Sequence, residues 1–301
     1  MNILITGYTG FVGSSLLNFL IKKKFVKKIY CVGRKKPKYN LKVIFFKKNL
    51  DQKFKLKKTT IDVVIHLAAA NEVDSINRSI AYRNTFLTTI NLIKALKKFQ
   101  IKKFLYFSTA QVYGSNNFID ENTVTNSQNN YSITHELSEV FIKMNLEENI
   151  KNYIIVRPFN IFGSPKSKSV KRDTLVPMCF VRELRLKNSI TLKSNGNQTR
   201  DFISLDNINK KILKIITSKK FDNKTINLCS GISLRIIDVA KITKKIFENK
   251  FKKKSKLKIN NADKKKYPQL RARSKFFQGI TRKEVIFLLN NEIKKLFYFF
   301  K

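Results

Sequence analysis

The chain has 301 residues, 43% of them hydrophobic and 12% aromatic, no Trp, and 62 Lys+Arg against 20 Asp+Glu for a formal charge of +42. At roughly 100 to 200 residues per domain this is one large or two intimate domains, and the apolar fraction excludes a disordered chain just as nine Gly and five Pro exclude a collagen-like one. Only 12 of the cations are Arg, the residue that bidentate phosphate contacts and base readout favour, so the excess reads as a solvated lysine surface and nucleic acid is disfavoured as a partner.

The opening run NILIT (2–6) reads as a strand and leads into TGYTGFVG (6–13), followed by the amphipathic SSLLNFLIKKK (14–24). Gly7, Gly10 and Gly13 keep the spacing at which glycines allow a tight turn, close approach of backbone N–H groups to a pyrophosphate, and close packing of helix on strand. The second strand, KIYCVG (28–33), ends in Gly33 where an acidic residue would bind adenosine ribose hydroxyls; Arg34 and Lys35 follow, which leans toward a 2′-phosphate and NADP. KVIFF (42–46) is a third strand, with Asn49 and Leu50 after it. The longest apolar stretch, IDVVIHLAAA (61–70), is about half the length of a membrane span and carries Asp62 and His66, so it reads as a fourth strand with His66 as packing.

Strands KFLYFST (103–109) and YIIVRPF (153–159) alternate with helices NTFLTTINLIKALKKF (84–99) and THELSEVFIKMNLEEN (134–149), which predicts a parallel sheet covered on both faces. After Gly163 the pattern is less regular, and the Lys/Asn-rich segment 250–266 reads as a loop. The expected domains are 1–163, with a return segment at about 200–230, and 164–301. Cys31, Cys179 and Cys229 are odd in number and far apart, which predicts buried thiols rather than disulfides or a metal site. The N-terminus shows no basic region followed by a long apolar one, so the expected location is the cytoplasm.

TGYTGFVG, DVVIHLAAA, Asn84 opening NTFLTTINLIKAL, STAQVYG (108–114), Tyr131 in YSITHE, RPFNIFG (157–163), LVPMCF (175–180) and NGNQTRDFISLDNI (195–208) occur in this order. Together they resemble the extended short-chain dehydrogenase/reductase family, in its branch of NAD(P)-dependent nucleotide-sugar epimerases and dehydratases. The resemblance implies a Rossmann-type, doubly wound parallel α/β sheet with a smaller C-terminal α/β domain that binds the nucleotide sugar. It places Gly7, Gly10, Phe11, Val12, Gly13, Arg34, Asn49, Leu50, Leu67, Ala68, Ala69, Asn84, Tyr131, His135 and Pro158 against NAD or NADP. It makes Tyr131 the residue that exchanges a proton with a sugar hydroxyl, and Thr109 the hydroxyl bonded to the same oxygen.

Two departures shape the functional expectation. The family carries a Lys four residues after the Tyr, and this chain carries His135, whose imidazole at an ordinary value near 6.5 is mostly neutral at pH 7; an altered proton relay is expected there. Where dehydratases of the branch hold an acid and a base after the Thr, this chain has Ala110 and Gln111, so dehydration is disfavoured and hydride chemistry at a ring hydroxyl, as in a C4 epimerase or 4-ketosugar reductase, is expected. A dehydratase and a catalytically weakened dinucleotide-binding protein are the alternatives. By resemblance, Asn160 and Arg200 would hold the nucleoside diphosphate, with Arg271 or Arg273 as the second phosphate ligand although Ala272 stands where an Asp is usual. Arg157 reads as structural, and Asp201 and Asp206 as turn holders. A homodimer is implied through helices 84–99 and 131–149, the latter with Leu137, Phe141 and Met144 on one apolar face.

Overall fold

A computed structural model describes residues 1–300 apart from 145–148, 168, 169, 171 and 173. The chain forms two compact units. The first comprises Met1–Ser115, Thr123–Pro158 and Asn209–Ile226; the second comprises Asn116–Asn122, Phe159–Ile208 and Asn227–Lys301. The break after the sixth sheet strand therefore falls at Pro158 rather than 163, the returning segment begins at Asn209, and a short excursion, 116–122, joins the second unit because Phe118–Ile119 pairs with Arg271–Ala272.

Seven strands form the main sheet: β1 (Asn2–Thr6), β2 (Lys28–Gly33), β3 (Val43–Lys47), β4 (Val63–His66), β5 (Lys103–Phe107), β6 (Tyr153–Pro158) and β7 (Lys224–Leu228), in spatial order β7-β6-β5-β4-β1-β2-β3. The pairings of β1 with β2 and β4, of β2 with β3, and of β5 with β4 and β6 are all parallel. The strands read as near-continuous apolar runs because both faces are covered, and Leu4, Val32, Val64, Phe104 and Ile155 pack against Leu92, Ile93, Leu96 and Ile142 from the helices. Chain direction across the sheet reverses between β1 and β4, and at such a switch point the carboxyl ends of the strands leave a crevice for a ligand. Thr6 and His66, in register at those ends, mark its floor.

Helix α1 is Phe11–Ile21, starting at the glycine turn itself rather than at Ser14. The run from Arg78 to Leu96 is helical throughout, but Tyr82–Leu87 is a π-helical segment, and the regular helix α2 spans Thr88–Leu96. Helix α3, Asn130–Met144, begins four residues earlier than expected because the Asn129 side chain accepts the Ser132 N–H at 2.9 Å. The end of the expected helix, 145–148, lies outside the described residues.

The second unit has a three-stranded sheet ordered Ser233–Arg235, Thr199–Ser204, Asn160–Phe162. Helices Met178–Lys187, Ile236–Phe251 and Arg282–Phe299 surround a cluster of Phe247, Phe251 and Phe297 rings with centroids 5.0–5.7 Å apart. The loop expected over 250–266 is corrected by the structure: Lys256–Ile259 is a strand, parallel to Ser189–Leu192. Its Lys-Leu-Lys-Ile alternation turns the lysines out and the aliphatics in, a period-2 pattern that the lysine-rich composition conceals. Among the described residues no helix is long and apolar enough to cross a membrane.

Candidate active site

The region around the glycine turn is made of backbone. Gly7 has φ +66°, and a Cβ there would lie 2.5 Å from the Leu67 carbonyl carbon and 2.6 Å from the Ala68 nitrogen, so the turn after β1 and the segment after β4 touch backbone to backbone. A Cβ on Gly13 would run into the Gly7 carbonyl, which lets α1 sit directly on the turn. Gly10 opens α1 with no side-chain cap, and the first intrahelical bond is Ser14 N–H to Gly10 O at 2.9 Å, so the N–H groups of Phe11, Val12 and Gly13 have no helical acceptor. This glycine cradle fits a pyrophosphate, which takes free N–H donors at a helix start.

Around the cradle, Leu67, Ala68 and Ala69 are half-buried, and the backbone of Ala68 and Ala70 is held by Thr6 and Thr85 hydroxyls. Asn84 is half-buried within the π-helical segment. At the end of β2, a Cβ on Gly33 would stand 3.2 Å from the Tyr8 ring, and the Tyr8 hydroxyl donates to the Lys35 carbonyl. Glycine at 33 thus makes room for a tyrosine at the place where an acidic side chain would bind ribose hydroxyls. Arg34 and Asn49 are exposed, while Leu50 is buried with its carbonyl accepting from Asn91 at 3.1 Å.

The region around Thr109 and Tyr131 is made of side chains. Thr109 follows β5, is buried, and accepts the Gln111 N–H at 3.2 Å, capping the short turn Ala110–Tyr113. Tyr131, in the first turn of α3, packs edge-on against His135 with ring centroids 4.7 Å apart. His135 is buried rather than a surface helix residue; burial pushes its imidazole down to about 3, so it is neutral at pH 7. Its Nδ1 lies 2.8 Å from the Tyr106 hydroxyl, and its Nε2 is buried with no partner among the described residues. His66 is also fully buried, but both nitrogens are used, Nδ1 with Thr6 Oγ1 at 2.6 Å and Nε2 with Thr89 Oγ1 at 3.1 Å. That agrees with its reading as packing.

Tyr106, Ser108 and Glu139 were not visible as site residues. The Ser108 hydroxyl donates to Glu139 Oε1 at 2.5 Å, and Arg157 Nε donates to both oxygens of that carboxylate at 2.9 and 3.2 Å. Arg157 also covers the Tyr113 ring at 4.7 Å. This buried group ties β5, α3 and β6 together next to Thr109 and gives Arg157 the structural role expected of it. The available signal was Glu139, a carboxylate eight residues after Tyr131 and hence two turns along the same helix face.

In the second unit, Asn160 lies beside Arg200's strand and its amide donates to the Asp201 carbonyl at 3.1 Å. Arg200 is exposed, its Nη1 donating to the adjacent Thr199 carbonyl at 2.9 Å. Asp201 is buried and accepts the Ser230 and Gly231 N–H groups, each at 2.8 Å, which holds the turn. Arg271 is exposed on the short strand paired with Phe118–Ile119, and Ala272 beside it is buried. Pro158 is buried at the end of β6.

A family model described as the NAD dependent epimerase/dehydratase family matches residues 3–229. A dTDP-D-glucose 4,6-dehydratase of Dictyostelium discoideum is 33% identical over 79% of this chain, which spans 60% of that relative's length. A putative UDP-glucose 4-epimerase of Methanocaldococcus jannaschii is 28% identical over 80% of this chain and 81% of its own. Among solved structures, a UDP-N-acetylglucosamine 4-epimerase from Methanobrevibacter ruminantium in complex with UDP-N-acetylmuramic acid superposes with a TM-score of 0.81 at 21% identity, over 99% of this chain and 98% of the other.

Proposed function

The chain belongs to the NAD dependent epimerase/dehydratase family, and on that premise we propose that it is a nucleotide-sugar oxidoreductase moving hydride at a ring hydroxyl, C4, as a 4-epimerase or a 4-ketosugar reductase. The observation that carries this reading is the Tyr131–His135 contact in the unit that also holds the Thr109 turn, where Ala110 and Gln111 supply no acid and base for eliminating water. Bound nicotinamide supplies and takes the hydride. Tyr131 exchanges the proton at the sugar oxygen, and Thr109, whose Oγ1 is fixed by the Gln111 N–H, gives its own hydrogen to the same oxygen. His135, being neutral, brings no cation to the phenol; its Nε2 serves the ribose of the dinucleotide instead.

The free N–H groups of Phe11, Val12 and Gly13 hold the pyrophosphate, and Arg34 beyond Gly33 favours NADP over NAD. Asn160, Arg200 and Arg271 take the nucleoside diphosphate, Arg through its planar fork. We read the protein as a cytoplasmic homodimer. Support comes from the exposed apolar face of α3, Ile133, Leu137, Val140 and Met144 at spacings of four, three and four, to which Ile80 and Tyr82 add from the neighbouring helical run.

Incubation with UDP-, dTDP- and GDP-hexoses and either dinucleotide, read by product mass and C4 configuration, tests the reaction. Inversion at C4 without mass change, or a change of two hydrogens, supports it, and loss of water overturns it in favour of a dehydratase. A second reading, a dinucleotide binder with little turnover, rests on the uncharged His135; the same panel would show it as binding without product.

A further inference from the structure

We propose that Tyr106 is a positioning residue for the dinucleotide site: it fixes His135 in the tautomer whose proton sits on Nε2, so that this N–H is the donor offered to a hydroxyl oxygen of the bound dinucleotide. The proposal deepens, and rests on, the reading of His135 given above.

Hydrogen accounting carries it. Tyr106 Oη lies 2.8 Å from His135 Nδ1, and the two residues are 1% and 2% exposed, so water does not stand in for either partner. Exactly one proton can lie between them, and two arrangements are open: the phenol donates to Nδ1, or Nδ1–H donates to the phenol. In the second arrangement Tyr106 must place its own hydrogen elsewhere, and the side chains that hydrogen-bond it are the Ser138 and Thr89 hydroxyls, Glu139 and Tyr131 acting on it only through charge. Ser138 spends its hydrogen on the Thr134 carbonyl at 2.8 Å and Thr89 on the Thr85 carbonyl at 2.9 Å, so both meet Tyr106 only as acceptors. Thr89 Oγ1 is further engaged by His66: with its own hydrogen on the Thr85 carbonyl it can only accept from His66 Nε2–H, which leaves His66 Nδ1 to accept from Thr6 Oγ1. An imidazole lone pair is a stronger acceptor than the hydroxyls that remain, and Tyr106 therefore donates to His135 Nδ1. The His135 proton is then on Nε2, the one ring atom that is buried without a partner among the described residues. A buried donor left unmade is costly, and its presence marks a place where an acceptor belongs.

The chain has two histidines, so an imidazole nitrogen NMR spectrum holds only two rings, and loss of one set in His135→Lys identifies it. The expected wild-type result is a neutral His135 ring protonated on Nε2 and accepting on Nδ1, with the Nε2–H resonance moving when NADP is added. In Tyr106→Phe the ring should pass to a tautomer mixture and the Kd for NADP should weaken about tenfold, with the far-ultraviolet circular dichroism unchanged. A wild-type ring protonated on Nδ1 overturns the proposal, and so does a Tyr106→Phe protein whose tautomer and Kd match the wild type. Should Tyr106→Phe fail to fold, the wild-type tautomer decides alone. Failure of the functional reading is a separate result: dinucleotide binding without turnover of any nucleotide sugar sinks that reading while the Nε2 proton and its shift on binding stand.

Discussion

The glycine turn after β1 and the face of α3 that carries Tyr131 are both parts of one unit, yet they are built by opposite means. At the turn, backbone lies against backbone: Gly7 meets Leu67 and Ala68, Gly13 meets Gly7, and any side chain larger than hydrogen collides. Neither Gly7 nor Gly13 can be exchanged without displacing the backbone. On α3, the contacts are between side chains, and a histidine stands where the family resemblance calls for a lysine. Its charge is gone, but its ring is seated between Tyr131 and Tyr106. A site made from backbone is held by excluded volume, so an added side chain displaces it, whereas a site made from side chains tolerates a replacement as long as each buried donor and acceptor finds a partner.

The contrast is sharpest in Tyr131→Phe, which should lower kcat on the order of a thousandfold while leaving the Kd for the dinucleotide within twofold of wild type. Retention of turnover within tenfold would place the proton exchange on another group. Next in size, Gly13→Ala should weaken dinucleotide binding about a hundredfold by titration calorimetry and leave kcat at saturating cofactor close to wild type, since only the cradle is displaced. Equal loss in both parameters would mean that turn and helix are not separable.

Acid should act through the histidines. Burial is the main cause pushing both rings down to about 3, with His135 a lesser influence on His66. Between 3 and the ordinary 6.5, the unfolded chain holds two protons that the folded chain does not, so stability is complete above about pH 6.5 and falls as the pH drops. By pH 5 the loss should be about 2 kcal/mol per histidine, a roughly thirtyfold change in the folding equilibrium for each. Urea denaturation at pH 7.5 and pH 5 measures it, and a His135→Gln protein should lose about half of the difference. The smallest effect is expected at Arg34→Ala: exposed at the end of β2, it should shift the NADP/NAD preference by about fivefold and alter no other parameter.

Most of the sheet was legible before any coordinates. The strand runs 2–6, 28–33 and 153–159 fall within a residue of β1, β2 and β6, because strands buried on both faces announce themselves as unbroken apolar stretches. The glycine turn was legible for the same reason that it is rigid: spacing and geometry are one constraint. The partners of His135 were not. Tyr106 reads as one more aromatic in KFLYFST, and periodicity assigns a residue to a face without saying which hydroxyl meets which ring nitrogen. Glu139 and Arg157 stand 18 residues apart on different elements, and their pairing is visible only in three dimensions. The strand Lys256–Ile259 was hidden by composition, since a lysine at every second position looks like a polar loop until its partner strand is known.

The π-helical segment Tyr82–Leu87 has an implication for how the chain tolerates length changes. A π turn accommodates one residue more than the regular helix on either side of it requires. Removing that extra residue would let the hydrogen-bond ladder close in the ordinary way with the stretches on either side nearly in phase, whereas removing a residue from the regular helix α2 would swing everything before the cut by roughly 100° about the helix axis. In that second case Ile80 and Tyr82 would leave the outward side, and Asn84 would lose the half-buried position it now holds. A one-residue deletion should thus be tolerated better within these six residues than in the regular helix that follows them.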